Sequence, residues 1–258
     1  MIRFLVIIFS LFLLLVVLGG GSSLIVLWRF GRDLPDYQKL ADYRPAVMTR
    51  VHAGNGSLIG EFARERRLFV PTTAIPRLVI DAFLSAEDKT FYSHPGIDFA
   101  GIATALFRNV WNVMDGGKRR PVGASTITQQ VAKNFLLTNE VSLDRKVREA
   151  MLAIRIERAL SKDRILELYL NEIFLGQRSY GVGAAALNYF DKSLADLDLA
   201  EIAFLAGLPK APNSYHPGRN MAAALGRRDY VLGLQIYLEH ITWFIMERVK
   251  QTFDDIFG

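Results

Sequence analysis

Gly123-Ala124-Ser125-Thr126-Ile127-Thr128-Gln129-Gln130-Val131-Ala132-Lys133-Asn134 is the stretch that decides how this chain is read. Thr126 and Gln129 stand three apart, the spacing at which a hydroxyl and a glutamine side chain cap a helix start reciprocally. A helix therefore begins near Thr126, after a flexible Gly-Ala approach. Such a start offers backbone N–H groups and the positive end of a dipole, which suit a phosphate. Lys133, about two turns on, adds a charge. Any capped helix shares these features, and a plain scaffold helix accounts for them equally.

Helical patterning extends to both sides, from Pro76 onward. The first helix covers about Pro76 to Glu87, and Val79, Phe83 and Glu87 recur every four residues on one face. A carboxylate facing a packed, partly apolar region has its charged form disfavoured, which makes it useful as a base or acid near neutral pH. A surface glutamate at a helix end is the plainer alternative. Downstream, Ser142 is an N-cap candidate for a helix carrying Arg145, Lys146 and Glu149. Arg145 and Glu149 share a face, which an ordinary surface ion pair also explains. Lys162 to Asn171 reads as another amphipathic helix, with scaffold as its plain role. Ala206 to Pro217 ends a helix in a proline-rich loop containing Lys210. The stretch Phe99 to Phe107, with Val110, Trp111, Val113 and Met114, is greasy enough to suggest contact with a bilayer beyond ordinary core packing. Upstream, Asn55-Gly56 separates two short runs, Met48–His52 and Ser57–Phe62, and predicts a small β-hairpin. Gly116 to Pro121 reads as a basic flexible loop, solvated or in contact with substrate phosphate.

The chain has 258 residues, 51% of them hydrophobic, and no cysteine, which excludes disulfides, thiolate metal sites and a cysteine nucleophile. A formal charge of +5 suits an anionic lipid surface or a pyrophosphate and is too small and dispersed to indicate nucleic acid. No charged residue occurs from Phe4 to Trp28. As a helix this run reaches about 37 Å, enough for the roughly 30 Å hydrocarbon core. Because the apolar run resumes after Gly19-Gly20-Gly21-Ser22-Ser23, a retained anchor is preferred over a cleaved signal peptide. The organisation expected is a stub at 1–3, an anchor at 4–28, a linker at 29–45, a catalytic domain at 46–233 and an amphipathic helical tail at 234–258. The arginines and lysine after the span do not favour an exported catalytic part by the positive-inside rule.

Taken in order, five segments resemble the five motifs of the family 51 peptidoglycan glycosyltransferases. They are Glu87 through Gly96, Gly123 through Asn134, Arg145-Lys146 with Glu149, Lys162 through Asn171, and Gly207 through Pro217. Arg50 to Pro71 resembles the lead-in of class A penicillin-binding proteins. The resemblance implies a mainly α, lysozyme-like glycosyltransferase domain with a small β-hairpin and an N-terminal transmembrane helix. It also implies an extracytoplasmic position on the bacterial cytoplasmic membrane, with lipid II and the growing glycan chain as partners. Glu87 is then the base and Glu149 assists departure of the pyrophosphate. Asp88, Phe91, His94, Gly123, Ser125, Thr126, Gln129, Gln130, Lys133, Asn134, Arg145 and Lys146 are carried over as substrate- or pyrophosphate-site residues; for His94 a structural hydrogen-bonding role is an equal alternative. The resemblance requires no cofactor and allows a divalent cation, magnesium or manganese, without fixing a metal site. Other cell-wall synthesis proteins are candidate partners.

The family's class A members continue into a transpeptidase, whose Ser-x-x-Lys, Ser-x-Asn and Lys-Thr-Gly motifs do not occur in this sequence. From Gln235 the resemblance fades, although Tyr237, Ile241, Ile245, Val249, Phe253 and Ile256 keep a helical spacing. Two rival functions stand beside the polymerase. One is a lytic transglycosylase or muramidase, which has no use for a pyrophosphate cradle. The other is a non-catalytic membrane scaffold, which has no need of both Glu87 and Glu149.

Overall fold

The structure, a computed structural model, describes residues 4, 9–10, 13–14, 17, 20–21, 28–32, 34–43, 49–62, 65–117, 123–138, 140 and 142–234. Most of the expected anchor, part of the basic loop and the tail from 235 lie outside these residues. Among the described residues no helix is long and apolar enough to cross a membrane.

The described fold is mainly helical. β1 (Thr49–His52) and β2 (Leu58–Phe62) form the antiparallel hairpin that Asn55-Gly56 predicts, with Thr49 opposite Phe62 and a register irregularity between Val51 and His52. Its turn is closed locally. The Asn55 side chain accepts from Ser57 N (3.1 Å), and Gly56 takes the left-handed conformation (φ 84°) that a side chain would oppose. β3 (Arg66–Arg67) pairs in parallel with β4 (Ser179–Tyr180).

Seven helices follow: α1 (Arg77–Glu87), α2 (Phe99–Met114), α3 (Ile127–Leu136), α4 (Leu143–Ala159), α5 (Lys162–Glu172), α6 (Val182–Phe190) and α7 (Leu199–Gly207). Residues 221–234 form an eighth, α8. Five of the first seven starts, those of α2, α3, α4, α5 and α7, carry a side-chain cap. The Thr126 capping box opens α3, while Ser142, Ser161 and Asp198 accept the N3 amides of α4, α5 and α7.

α3 is the central element, packed against α4 and α5, while α1 packs on α7. Ile127, Val131 and Ala132 meet a core built from Leu152, Ile156, Ile165, Leu166 and Tyr169. α5 keeps its expected amphipathic pattern: Ile165, Leu166, Leu168, Tyr169, Leu170 and Asn171 are buried, while Asp163 is exposed and Lys162, Arg164 and Glu167 are partly so. Its polar Asn171 is accommodated by bonding both the N–H and the C=O of Val70 (2.8 and 2.9 Å), which pins the strand-like lead-in to the helix. α2 is different. Only Ala105 of its sixteen residues is buried, and its large apolar side chains face outward.

Candidate active site

Glu87 ends α1, one turn beyond Phe83, so the packing that buries Phe83 carries the carboxylate inward; its side chain is 13% exposed. Gln130 Nε2 donates to Oε2 at 2.9 Å, and Arg227 of α8 places Nη2 4.0 Å from Oε1. Burial raises the Glu87 pKa above the ordinary carboxylate value. The Gln130 hydrogen bond, Arg227 and Lys210 oppose that shift, and the neighbouring Asp88 adds to it. Net, the carboxylate holds a proton more readily than one in water while donors remain to stabilise its charge. The Tyr169 hydroxyl is buried in the field of Glu87 and Asp88 with no hydrogen-bond partner among the described residues, and burial lifts its pKa well above the usual phenol value.

Asp88, at the C-terminal cap of α1, turns away from Glu87 into the protein. Its oxygens lie 3.0 and 3.1 Å from His94 Nε2, and Oδ2 also accepts the Ile127 amide at 2.9 Å. The Gly96 amide donates to His94 Nδ1 (3.1 Å), so the ring proton lies on Nε2 and points at Asp88. Burial raises the pKa of Asp88, against the lowering effect of the Ile127 amide, His94 and Lys162. Phe91 is 1% exposed, with Lys162 Nζ 4.4 Å above its ring, so it supports this loop from below and touches no solvent. Gly96 has φ 94°, and a Cβ there would meet the Ala153 carbonyl at 2.7 Å; only glycine lets the loop lie this close to α4.

The start of α3 corrects an expectation. Its amides are not open to a phosphate, because Ile127 N is taken by Asp88 and Gln129 N by the Thr126 hydroxyl, and Thr126, Ile127 and Thr128 are all buried. A helix end buried in protein must satisfy its donors internally, and a protein carboxylate already complements the dipole. Gln129 Oε1 accepts from Thr126 N (3.0 Å), so Gln129 serves the cap while Gln130, next in sequence, serves Glu87.

A second cluster forms where the approach to α3 meets α4. Glu149 is 2% exposed, and both its oxygens are occupied: Oε1 by Arg145, Oε2 by Lys146 Nζ at 2.7 Å. Lys146 Nζ also donates to Ser125 Oγ at 2.7 Å. The Arg145–Glu149 spacing is thus no surface pair. It is one side of a buried carboxylate clamped by two cations, with the lysine half-exposed. Lys133 is partly exposed on α3 without an ion-pair partner among the described residues; Gly123 and Asn134 are exposed. From sequence, Lys210 stands out only as part of its proline-rich loop, and Arg227 is not singled out. No local pattern marks Arg227, since only the return of α8 brings it to Glu87.

Residues 55–235 match the family model described as Transglycosylase. The chain belongs to the transglycosylase family. Among curated relatives, penicillin-binding protein 1A of Rickettsia felis is 52% identical over 217 residues, covering 84% of this chain and 27% of that protein. Penicillin-binding protein 1A of Rickettsia conorii is 54% identical over 207 residues, 80% of this chain and 26% of its own length. That of Neisseria flavescens is 49% identical over 199 residues, 77% and 24%. The chain spans about a quarter of the length of these relatives. The crystal structure of penicillin-binding protein 1A from Haemophilus influenzae is 28% identical, covering 77% of this chain and 19% of that one, with a TM-score of 0.40. All five motif segments of this transglycosylase fall inside the matched residues.

Proposed function

We propose that this transglycosylase is an inverting peptidoglycan glycosyltransferase that polymerises lipid II on the outer face of the cytoplasmic membrane, in a lysozyme-like domain held by the 4–28 anchor. The observation that carries the reading is the pairing of two differently prepared carboxylates. Glu87 is buried, its pKa raised, with Gln130, Arg227 and Lys210 ready to hold its charge. Glu149 is consumed by Arg145 and Lys146.

Glu87 takes the proton from the 4-hydroxyl of the incoming lipid II sugar. That oxygen forms a bond to the anomeric carbon of the growing chain from the face opposite the lipid. The bond from anomeric carbon to phosphate oxygen breaks, and undecaprenyl pyrophosphate departs with the electron pair. Arg145, Lys146 and Lys133 are the cations that face this developing charge, a preorganised electrostatic role. Glu149 acts through them: by neutralising part of their mutual repulsion it keeps two cations together at one place. A hydrolase acting on sugar alone has no use for that arrangement.

Among the described residues no three imidazole or acidic groups converge, and Glu149 has no free oxygen to offer. The outward apolar face of α2 supports contact with the bilayer that carries the substrate. The test is incubation of the detergent-solubilised full chain with labelled lipid II, with and without moenomycin. Glycan strands that form and are suppressed by moenomycin support the reading; a folded protein that forms none, or that instead degrades finished peptidoglycan, refutes it.

A further inference from the structure

Away from the two carboxylates, a cavity of about 720 Å3 opens between the 92–97 loop, the start of α2 and the C-terminal half of α4. None of Glu87, Arg145, Lys146 or Glu149 lines it. Its walls are largely apolar, from Tyr92, Ile97, Phe99, Ile154 and Leu160. The polar groups inside are mostly committed to one another. Lys162 Nζ bonds Glu157 (2.6 Å) and the His94 carbonyl (2.7 Å), Thr128 also bonds Glu157 (2.6 Å), and Ser161 caps α5. Arg158 differs. It is exposed, lines the cavity, and has no ion-pair partner among the described residues.

Phe99 belongs to two features at once. It forms a wall of this cavity and begins the outward stripe of α2, where Leu106, Val110 and Val113 follow at helical spacing and are exposed. The face turned to the protein carries Gly101, Ile102, Ala105, Asn109 and Asn112 instead, each buried or half-buried. An apolar-lined recess with one unpaired guanidinium thus runs without a break into an apolar helix face. One phosphodiester carries one negative charge, which a single arginine matches with charge-assisted hydrogen bonds, while its acyl carbons continue along Phe99.

We propose that this cavity is a headgroup site for an anionic phospholipid, separate from the site of the transferred sugar. The inference rests on the reading of α2 as a bilayer-facing helix, and the two are tested separately. The full chain in detergent is melted with dihexanoyl-phosphatidylglycerol, dihexanoyl-phosphatidylcholine or inorganic phosphate. The expected result is a rise in melting midpoint with the phosphatidylglycerol alone, with apparent affinity weakened about 10-fold or more by Arg158→Glu and largely retained by Arg158→Lys. An equal response to phosphatidylcholine or to phosphate, an unaltered response in Arg158→Glu, or displacement of the lipid by undecaprenyl pyrophosphate overturns the proposal. In parallel, Trp28→Phe/Trp243→Phe protein is placed in vesicles containing brominated phosphatidylcholine. Quenching of Trp111 supports the bilayer contact of α2 whatever Arg158 does, and its absence overturns that contact and the lipid site with it.

Discussion

Replacing Gln130 by alanine removes the hydrogen-bond donor on the Glu87 carboxylate and leaves the burial intact. The bond is 2.9 Å long and reaches a side chain only 13% exposed, so water replaces it poorly. A hydrogen bond to a charged group contributes about 1.5–3 kcal/mol. At about 1.4 kcal/mol per pKa unit, its loss moves the Glu87 pKa upward by about 1–2 units. The sign follows from which form the bond favours: Gln130 stabilises the carboxylate, and without it the proton is held more tightly. A base works only when ionised, so the acid limb of kcat/KM against pH shifts to higher pH by that amount. The level of the plateau falls as well if Gln130 also touches substrate, but the position of the limb reports the base. Arg227→Met moves the limb the same way by less, because the Gln130 bond is the largest of the three opposing influences. The assay is initial-rate polymerisation of labelled lipid II from about pH 5 to 9, a range that brackets the shifted limb. A limb that stays in place in Gln130→Ala, or moves toward acid, refutes the assignment of Glu87 as the titrating base.

Further outcomes follow from the same contacts. Because the folded-state pKa of Glu87 is raised above its ordinary value, its contribution to stability is full in acid and is lost as pH rises through the folded pKa. Glu87→Gln therefore melts higher than the parent at neutral pH, and calorimetry shows the difference shrinking toward pH 4.5, the ordinary value. Gly96→Ala combines a left-handed backbone with a 2.7 Å approach to the Ala153 carbonyl and is expected to lower stability by about 2 kcal/mol or more, read from denaturant midpoints. Arg145→Ala leaves the buried Glu149 with Lys146 alone and lowers stability by about 1–3 kcal/mol, with Arg145→Lys recovering part of it.

Much of the scaffold was legible because its signals are local. Thr126 with Gln129, Ser142 before Arg145, and Asn55-Gly56 each act within a few residues, and each does in the structure what its spacing predicts. What could not be read depends on partners far along the chain. The α3 start has the chemistry of an anion site until Asp88, at the end of α1 and two helices earlier, is folded onto it. The apolar run of α2 looks the same whether it faces a core or the outside, and only the fold shows that Ala105 points inward while Phe107 and Trp111 stack outward. Glu149 and Arg145 share a face in either reading, and depth of burial separates a surface pair from a clamped carboxylate. Arg227 reaches Glu87 through tertiary packing alone.

The most direct test of the account is the single-turnover rate of glycan formation by Glu87→Gln in the full chain, measured beside the parent. A positioned general base contributes about 10²–10⁴-fold, so the substitution is expected to lower the rate by that factor while the protein stays folded and melts at or above the parent's midpoint. Polymerisation at the parental rate by folded Glu87→Gln would contradict the central claim that this buried carboxylate takes the proton.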